Sequence, residues 1–403
     1  TVATTGFNLR AYSVADDAEI NNLEKSAVMQ FRFDFLTKLI STATEHKTTF
    51  DGKVRQYKSG EVIVACDVEN GESIAGVITV GIKDVFIQGK PARIGFLSNL
   101  RVHERIQRRG LASLLIRSIE ERCLASQCTH MLLTVNGSNA RARQLFARHN
   151  YSLASKRRLT MTPLWFRYRP DPAVQEMSSV AGAVARTAEH YGKRDMALAD
   201  FQELFSQKPF LGMFTLEDEA TGSKAGACLW DASTLRGFAF QGHIPAFISR
   251  PGVLPALSTA ACSMAAYRAF SLWTLWPELG CFMFVLRGLF DLSVAIALWA
   301  VYSVLRFALV ERKLRIFRII APYAEGPEGQ TLLKRVANHI KHVARDRHGA
   351  AVIMINMADG DPLTPVLGKT WGPPATHFLI KPLLEGQPAT PLAADGFFDP
   401  RDI

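Results

Sequence analysis

The alternation of apolar and polar positions places one strand and one helix at the centre of this 403-residue chain. Residues 93–102 are rich in apolar and β-branched side chains, a pattern that predicts a buried strand. Residues 111–122 carry apolar side chains at 111, 114, 115, 116 and 119 with charges behind them, which is the spacing of an amphipathic helix. A short basic turn that ends on Gly110 connects the two. The pattern therefore predicts a strand that leads into the start of a helix.

The start of this helix has the chemistry of an anion site. The first turn of a helix leaves several backbone N–H groups without partners, and the helix dipole is positive at that end. These donors suit a pyrophosphate group. Gly110 lets the backbone approach a ligand closely, and Ala112 keeps the next contact small. Arg108 and Arg109 add charged hydrogen-bond donors to the same turn.

The rest of the chain predicts further strands and helices, and then a weaker repeat of the same plan. Before residue 170, the pattern predicts a hairpin over 61–67 and 73–80, a strand over 131–135, a helix over 139–149 and two closing strands between 151 and 169. Pro170-Asp-Pro172 marks a boundary. Beyond it, predicted strands at 211–216, 225–230, 314–320, 351–356 and 376–380 accompany helices at 195–206 and 331–346. We therefore predict two domains, over 1–169 and 175–403.

The charge of the chain is unevenly distributed along the sequence. The chain has 47 Lys and Arg against 37 Asp and Glu, a net charge of +10. Residues 1–170 contain 25 basic and 15 acidic side chains, so the remainder contains 22 of each. This excess in the first half suits a polyanionic partner, an anionic membrane surface or nucleic acid, although a solubilising role stays open. The basic residues are not striped with aromatic ones, and nucleic acid therefore ranks low.

The turn and the helices beside it resemble motifs of a known family. Gln107-Arg-Arg-Gly110-Leu-Ala112 resembles motif A of the GCN5-related N-acetyltransferases (GNAT), written Arg/Gln-x-x-Gly-x-Gly/Ala. Asn139-Ala-Arg-Ala142-Arg-Gln-Leu145-Phe146 is similar to the family's Asn-x-x-Ala-x-x-Leu-Tyr/Phe helix, and the aromatic Tyr151 follows it. For residues 1–169, the resemblance implies the acyl-CoA N-acyltransferase fold, of α+β class with a mixed sheet.

We interpret residues 175–403 as a second, degenerate GNAT-like unit. Its counterpart of the phosphate turn carries Glu325 and Glu328 where the first carries arginines. Acidic side chains there would repel a pyrophosphate, so we predict that this unit does not bind coenzyme A. The stretches 211–214, 323–329 and 397–402 are similar to the tandem HOOKLESS-type N-acetyltransferases of plants.

An unusually apolar stretch interrupts the second unit at about 245–312. Residues 292–305 carry no charge for fourteen positions, which is short of the roughly 20 residues that span a bilayer. Extension to 288–310 reaches that length but includes Asp291 and Arg306 near the ends. Two interpretations stay open: a helical insertion packed on the second domain, or membrane contact through 253–311.

The family resemblance implies acetyl transfer from acetyl-CoA to an amine by direct attack in a ternary complex. Leu100, Arg101 and Val102 would offer backbone groups to the pantetheine arm, one N–H polarising the thioester carbonyl. Asn139 and Phe146 would flank the arm and the sulfur. The residues that would hold the pyrophosphate are Gln107, Arg108, Arg109, Gly110, Leu111, Ala112 and Ser113.

The sequence departs from the family at the groups that move protons. A base, often a Glu on the central strands or a water relay, would deprotonate the amine, yet 93–102 contains no carboxylate. A tyrosine often assists departure of the thiolate, and Phe146 stands at its usual position. His149 and Tyr151 lie nearby, where structural roles are the stronger interpretation. We therefore assign no catalytic residue.

Two functions stay open at this point. The first is an acetyl-CoA-dependent N-acetyltransferase whose acceptor, a peptide N-terminus, lysine, polyamine or small amine, no motif fixes. The second is a catalytically inert scaffold of the same fold, or a subunit of a membrane-associated complex. The six cysteines lack paired metal-ligand spacing, so we predict no metal site and reduced thiols in an intracellular protein, with an organelle membrane such as that of the chloroplast as an open location.

Overall fold

The computed structural model describes residues 6–25, 40–46, 49–164, 167–192, 194–234, 236–242, 313–367, 375–384, 391–393 and 396–402. The apolar insertion predicted at 245–312 therefore lies outside the described residues. The described α-helices are α1 (Asp17–Lys25), α2 (Phe50–Val54), α3 (Leu111–Ala125), α4 (Ala140–Arg148), α5 (Val180–Tyr191), α6 (Phe201–Phe205), α7 (Gly329–His342) and α8 (Thr364–Leu367).

Strands make up most of the regular structure that is described. In chain order they are β1 (Phe7–Ala11), β2 (Ile40–His46), β3 (Ser59–Asp67), β4 (Ser73–Ile87), β5 (Lys90–Val102), β6 (His130–Asn136), β7 (Ser152–Pro163), β8 (Gln175–Met177), β9 (Phe210–Asp218), β10 (Ser223–Asp231), β11 (Arg236–Gly242), β12 (Lys313–Leu314), β13 (Ile316–Glu325), β14 (Val352–Ala358) and β15 (Thr376–Pro382). By contacts, one unit comprises Thr1–Ala27, Thr44–Gly237 and Arg315–Ile403, and another comprises Val28–Ala43 and Phe238–Leu314. A small sheet has the order β12-β11-β2.

Twelve strands form one sheet in the order β1-β3-β4-β5-β6-β15-β7-β14-β13-β10-β9-β8. The pairs β5–β6 and β13–β14 are parallel, and the other neighbours are antiparallel. β15, near the end of the chain, lies between β6 and β7, so strands from 1–169 and from 175–403 interleave at the centre. Outward from the β15–β7 pair, each half of the sheet has five further strands, and the first two of them form the parallel pair in both halves. This symmetry is expected for a repeated unit. The division into 1–169 and 175–403 as folding units stays a prediction.

Most predicted elements are present, with two corrections. β5 and α3 confirm the central strand and helix, and β3 and β4 confirm the hairpin. The two strands predicted between 151 and 169 are wrong, because one long strand, β7, takes their place and crosses to β14. The helix predicted over 195–206 is reduced to α6, since Asp200 caps a helix that begins only at Phe201.

The core lies on both faces of the sheet. On one face, α3 buries Leu111, Leu115 and Ile119 against β4, β5 and β6. In the same way, α7 packs on β10 and β13. The opposite faces are covered by α1 and α2 near β3 and by α5 and α6 at the centre. Because each fully buried aliphatic side chain contributes about 1.5–3 kcal/mol, the apolar stripe of α3 fixes its position firmly.

The closing segment that resembles the plant proteins is locked into this core by buried charges. The side chains of Lys83, Asp399 and Arg401 are fully buried. Asp399 Oδ2 lies 3.0 Å from Lys83 Nζ and 2.7 Å from Arg401 Nη2. Arg401 also binds Glu203 of α6, and Arg318 of β13 donates to the carbonyl of Pro400 at 2.8 Å. Residues 396–402 therefore tie β4, β13 and α6 together.

Candidate functional site

The candidate site begins where two parallel strands separate. β5 and β6 pair from Ile94 with His130 to Leu97 with Leu133. Beyond that point β5 continues to Val102 and β6 to Asn136, but these described residues no longer pair with each other. The separation opens a crevice at the ends of the two strands and leaves backbone groups of β5 facing it.

A β-bulge turns the backbone of β5 at the crevice. The register with β4 shifts between Val77 and Thr79, and Asn99 has φ of 51°, which few residues other than glycine adopt. The residue that follows is Leu100, the first of the three predicted to contact the pantetheine arm. Leu100 and Val102 pack partly against the α3 side of the core, and the Arg101 guanidinium donates to the Leu100 carbonyl at 3.0 Å.

The start of α3 lies open beside the crevice. Gly110 has φ of +84°, and a Cβ there would have no neighbour within 4 Å among the described residues. The first N–H with an acceptor inside the helix belongs to Leu114, which donates to Gly110 at 3.1 Å. The amides of Leu111, Ala112 and Ser113 therefore stand at the free end of the helix. The side chain of Leu111 is buried and anchors this end.

The side chains of the turn are mostly exposed and only weakly engaged. Arg109 lies 3.4 Å from Glu69 in an exposed ion pair, and its guanidinium is 5.4 Å from the Phe7 ring centre. Such exposed pairs contribute little and exchange readily. Arg141 of α4 donates to Gln107 at 3.2 Å. Arg108 and Arg109 are thus exposed at the open helix end, where an anionic ligand could bind them.

The two residues predicted to flank the ligand arm have structural contacts of their own. Asn139 caps α4 by accepting from the Ala142 N–H at 3.0 Å. Phe146 is 5% exposed and packs edge-on against Tyr151, with ring centres 5.4 Å apart. Burial raises the pKa of Tyr151 well above its usual value, with Glu120 adding to the effect. Tyr151 is therefore unsuited to donate a proton near neutral pH.

One contact at the site was not predicted from the sequence. His149, which follows α4, places Nε2 at 3.0 Å from the hydroxyl of Ser113 in the first turn of α3. Burial lowers the pKa of His149, while the charge of Glu120 opposes that effect. The spacing of the second motif placed α4 near the crevice, but no pattern in the sequence specifies a side-chain contact across two helices.

The corresponding turn of the second half is closed. Glu325 is paired with His190, whose Nδ1 is 2.7 Å away. The Glu328 N–H, at the start of α7, donates to the Ser223 hydroxyl at 3.1 Å. The acids predicted to repel a phosphate therefore lie at a turn whose backbone is already used by the protein.

The described residues hold neither a metal-ligand cluster nor a membrane-spanning helix. Across the described ranges, no group of three or more His, Cys, Asp or Glu side chains is arranged to hold a metal ion. Within the same ranges, the helices are all too short or too polar to cross a membrane. The apolar 288–310 stretch is not among those residues.

Comparison with known proteins gives a family profile that matches part of the chain, and a shared fold. Residues 28–151 match the profile of the Acetyltransferase (GNAT) family. The acetyl transferase GW6a of Oryza sativa subsp. japonica is 24% identical over 305 residues, covering 73% of this chain and 63% of the relative. The chain therefore spans less than two thirds of that relative's length.

Solved structures agree on the fold. The N-myristoyltransferase of Saccharomyces cerevisiae with bound myristoyl-CoA has a TM-score of 0.54 and 12% identity, covering 94% of this chain and 83% of that one. Another structure of that enzyme, with myristoyl-CoA and inhibitors, has a TM-score of 0.58 and 11% identity, covering 100% and 85%. At these identities the likeness concerns the fold alone. The predicted acyl-CoA N-acyltransferase fold, α+β with a mixed sheet, is confirmed.

Proposed function

We propose that this chain, which carries a domain of the acetyltransferase (GNAT) family, transfers an acetyl group from acetyl-CoA to an amine by direct attack. The observation that carries the proposal is the open start of α3 beside the separated ends of β5 and β6. Free helix amides and two exposed arginines suit a pyrophosphate, and the crevice suits an extended arm ending in a thioester. We place the protein in the tandem HOOKLESS type because of its closing segment and its repeated unit.

The chain's backbone would do most of the binding. The backbone N–H groups of Leu111, Ala112 and Ser113 would donate hydrogen bonds to the pyrophosphate oxygens, with Arg108 and Arg109 adding charge. The Leu100 N–H, next to the bulge at Asn99, would polarise the thioester carbonyl as negative charge develops on its oxygen. Acetyl-CoA would supply the activated acyl group. These donors are fixed in advance by the bulge and by the buried stripe of α3, so little reorganisation is needed.

The described residues of the crevice include no evident acid or base for proton transfer. β5 supplies no carboxylate, Phe146 lacks a hydroxyl, and Tyr151 has a raised pKa. The incoming amine would lose its proton to water or to a residue outside the described crevice. The same observation favours an alternative, an inert scaffold or a subunit of a membrane-associated complex that retains the fold and binds an acyl-CoA without turnover.

Titration calorimetry and a turnover assay separate these functions. For the enzyme, we expect saturable binding of acetyl-CoA at one site per chain, and release of free thiol when a peptide amine, lysine or polyamine is added. For the inert scaffold, we expect the same binding without thiol release from any acceptor class. The control variant is Arg108→Glu with Arg109→Glu, which should abolish both signals. Absence of binding at a ligand concentration on the order of 1 mM would overturn the proposal, since that limit corresponds to only about 4 kcal/mol.

A further inference from the structure

The contact between Ser113 and His149 involves a histidine that has no role in the proposed acetyl transfer. Ser113 is the third residue of α3, so its hydroxyl lies at the same helix end as the free amides. The imidazole Nε2 is 3.0 Å from that hydroxyl oxygen. The backbone N–H of His149 donates to the carbonyl of buried Phe146 at 3.0 Å, which fixes the main chain that carries the ring.

The charges around the ring come from two elements. Arg117 and Glu120 of α3 and Lys381 of β15 act on His149 electrostatically. Glu120 and Lys381 are paired with each other at 2.8 Å, which reduces the field of each at the ring. Because burial lowers the pKa of His149, the neutral ring dominates at neutral pH, with one nitrogen protonated and one bare.

The tautomer of this ring decides what Ser113 offers to a ligand. A hydroxyl has one proton to donate and lone pairs to accept with. If Nε2 carries the proton, it donates to the Ser113 oxygen, and the Ser113 O–H is free to donate toward the helix end. If Nε2 is bare, the Ser113 O–H turns to the ring and its lone pairs face the ligand. An anion at the helix end would be attracted in the first case and repelled in the second.

We propose that His149 is a positioning residue that directs the Ser113 hydroxyl toward the pyrophosphate of the acyl-CoA substrate. The inference rests on the proposed function, because it concerns how the same site holds that substrate. His149 does not touch the ligand in this scheme. It acts through Ser113, by keeping the hydroxyl proton pointed at the phosphate oxygens.

The test compares coenzyme A with acetyl-pantetheine, which has the arm but no pyrophosphate, by calorimetry. We expect Ser113→Ala to weaken coenzyme A binding by about tenfold, the value of one hydrogen bond to a charged group. His149→Ala keeps the hydroxyl but removes the partner that directs it, so it should weaken binding by less, about fivefold, and the double variant should bind no more weakly than Ser113→Ala. His149→Gln, whose amide N–H can take the place of Nε2–H, should bind within about threefold of the native chain. None of these changes should alter acetyl-pantetheine binding.

His342→Ala is the matched control, because this histidine lies at the end of α7 and contacts the Tyr168 carbonyl at 3.1 Å instead of the site. It should leave both affinities unchanged. Native coenzyme A affinity in His149→Ala, or an equal loss for acetyl-pantetheine, would overturn the inference while leaving the proposed function intact. A native chain that binds no coenzyme A would overturn both. If His149→Ala fails to fold, Ser113→Ala and His149→Gln still decide the question, by a loss in the first and retention in the second.

Discussion

In the first half of the large sheet, β5 and β6 pair over four residues and then separate; in the second half, β13 and β14 pair over Ile316–Ile319 and then separate in the same way. The bulges also correspond. The register of β13 with β10 shifts between Gly226 and Cys228, and Ala321 has φ of 50°, close to the 51° of Asn99. The two halves therefore share the local backbone that shapes a ligand crevice, down to one residue with a left-handed conformation.

The two halves differ in how the strand reaches the helix. Eight residues, 103–110, separate β5 from α3, whereas three, 326–328, separate β13 from α7. The shorter turn draws α7 against its own strand, so that a Cβ on Gly329 would lie 3.0 Å from the carbonyl carbon of Ala324. At Gly110 the equivalent space is open. The shorter turn therefore leaves less room at the start of α7 than the longer turn leaves at the start of α3.

The second half also lacks the donor that would activate a thioester. Pro322 follows Ala321 as Leu100 follows Asn99, and proline has no backbone N–H. The Pro322 carbonyl already accepts a hydrogen bond from the Tyr191 hydroxyl at 2.8 Å. The small cleft that remains is lined by Arg157, Tyr191, Asn356, Asp361 and Phe398 among others. A repeated fold thus conserves the crevice backbone, while turn length, one proline and a few side chains determine whether it can bind acyl-CoA.

The largest expected effect tests whether the two halves fold together. Asp399→Ala leaves Lys83 and Arg401 buried without their shared partner, which should cost about 3–5 kcal/mol of unfolding free energy. We expect hydrogen exchange in β4 and in β10 to accelerate together, because residues 396–402 contact both halves. The exposed pair Arg158–Asp359 gives the control, and Asp359→Ala should cost no more than about 1 kcal/mol. Acceleration confined to β4 would show that the halves unfold separately.

Acid sensitivity follows from the same cluster. Burial opposes ionisation of Asp399, but the charges of Arg401 and Lys83 outweigh it and hold the pKa of the carboxyl well below its ordinary value. The native state therefore binds this proton less readily than the unfolded chain does. The resulting stability is present above the ordinary aspartate pKa of about 3.9 and is lost as the pH falls below it. Asp399→Asn should flatten this acid limb of an unfolding curve, and an unchanged limb would contradict the assignment.

The next effect concerns ligand affinity and contrasts the two turns directly. Arg108→Glu with Arg109→Glu should weaken coenzyme A binding by about 100-fold or more, as two charged hydrogen bonds become repulsions. The matched change in the second half, Glu325→Gln with Glu328→Gln, should leave the affinity and the single-site stoichiometry unchanged. Calorimetric titration measures both. A second binding site in the glutamine variant would show that charge, rather than turn length and Pro322, closes the second half.

A smaller effect tests whether the Ser223 hydroxyl caps α7 or contributes to ligand binding. Ser223→Ala removes the acceptor of the Glu328 N–H, which should lower the free energy of unfolding by about 1 kcal/mol, the usual cost of a lost cap. Coenzyme A affinity should stay native, because this hydroxyl serves the closed helix start. Denaturant unfolding and calorimetry on the same variant check the two expectations. A weaker coenzyme A complex would mean that the second half contributes to the site.

Sequence patterns were most informative where the chain is local and repetitive. The apolar stripe of α3, the strand β5 and Gly110 at the turn could be predicted because each follows from spacing within a few residues. The repeat itself was visible as a second set of strands and a turn with acids. These features place the candidate site at the start of α3, beside β5.

Long-range pairing could not be read from the same patterns. β15 lies between β6 and β7, and it looks like any other short apolar strand in the sequence. Lys83 and Asp399 lie 316 positions apart in the sequence, so no local pattern predicts their contact. The caps made by Asn139 and Ser223, and the His149 contact, depend on rotamers that tertiary packing selects. Such contacts decide the detail of the site, and only the folded chain specifies them.

The smallest expected effect concerns the cleft that replaces a ligand site in the second half. Asn356 follows the last residue of β14 that pairs with β13, and neither polar atom of its side-chain amide has a hydrogen-bond partner among the described residues. An unsatisfied buried amide costs stability, so Asn356→Leu, of similar volume, should raise the free energy of unfolding by about 1 kcal/mol. Denaturant unfolding measures the change, with coenzyme A affinity expected to remain native. A loss of similar size would mean that an ordered water satisfies the amide, since the cleft is polar and has room for one. In that case the second half keeps a hydrated polar cleft at the place where the first half keeps an open helix start.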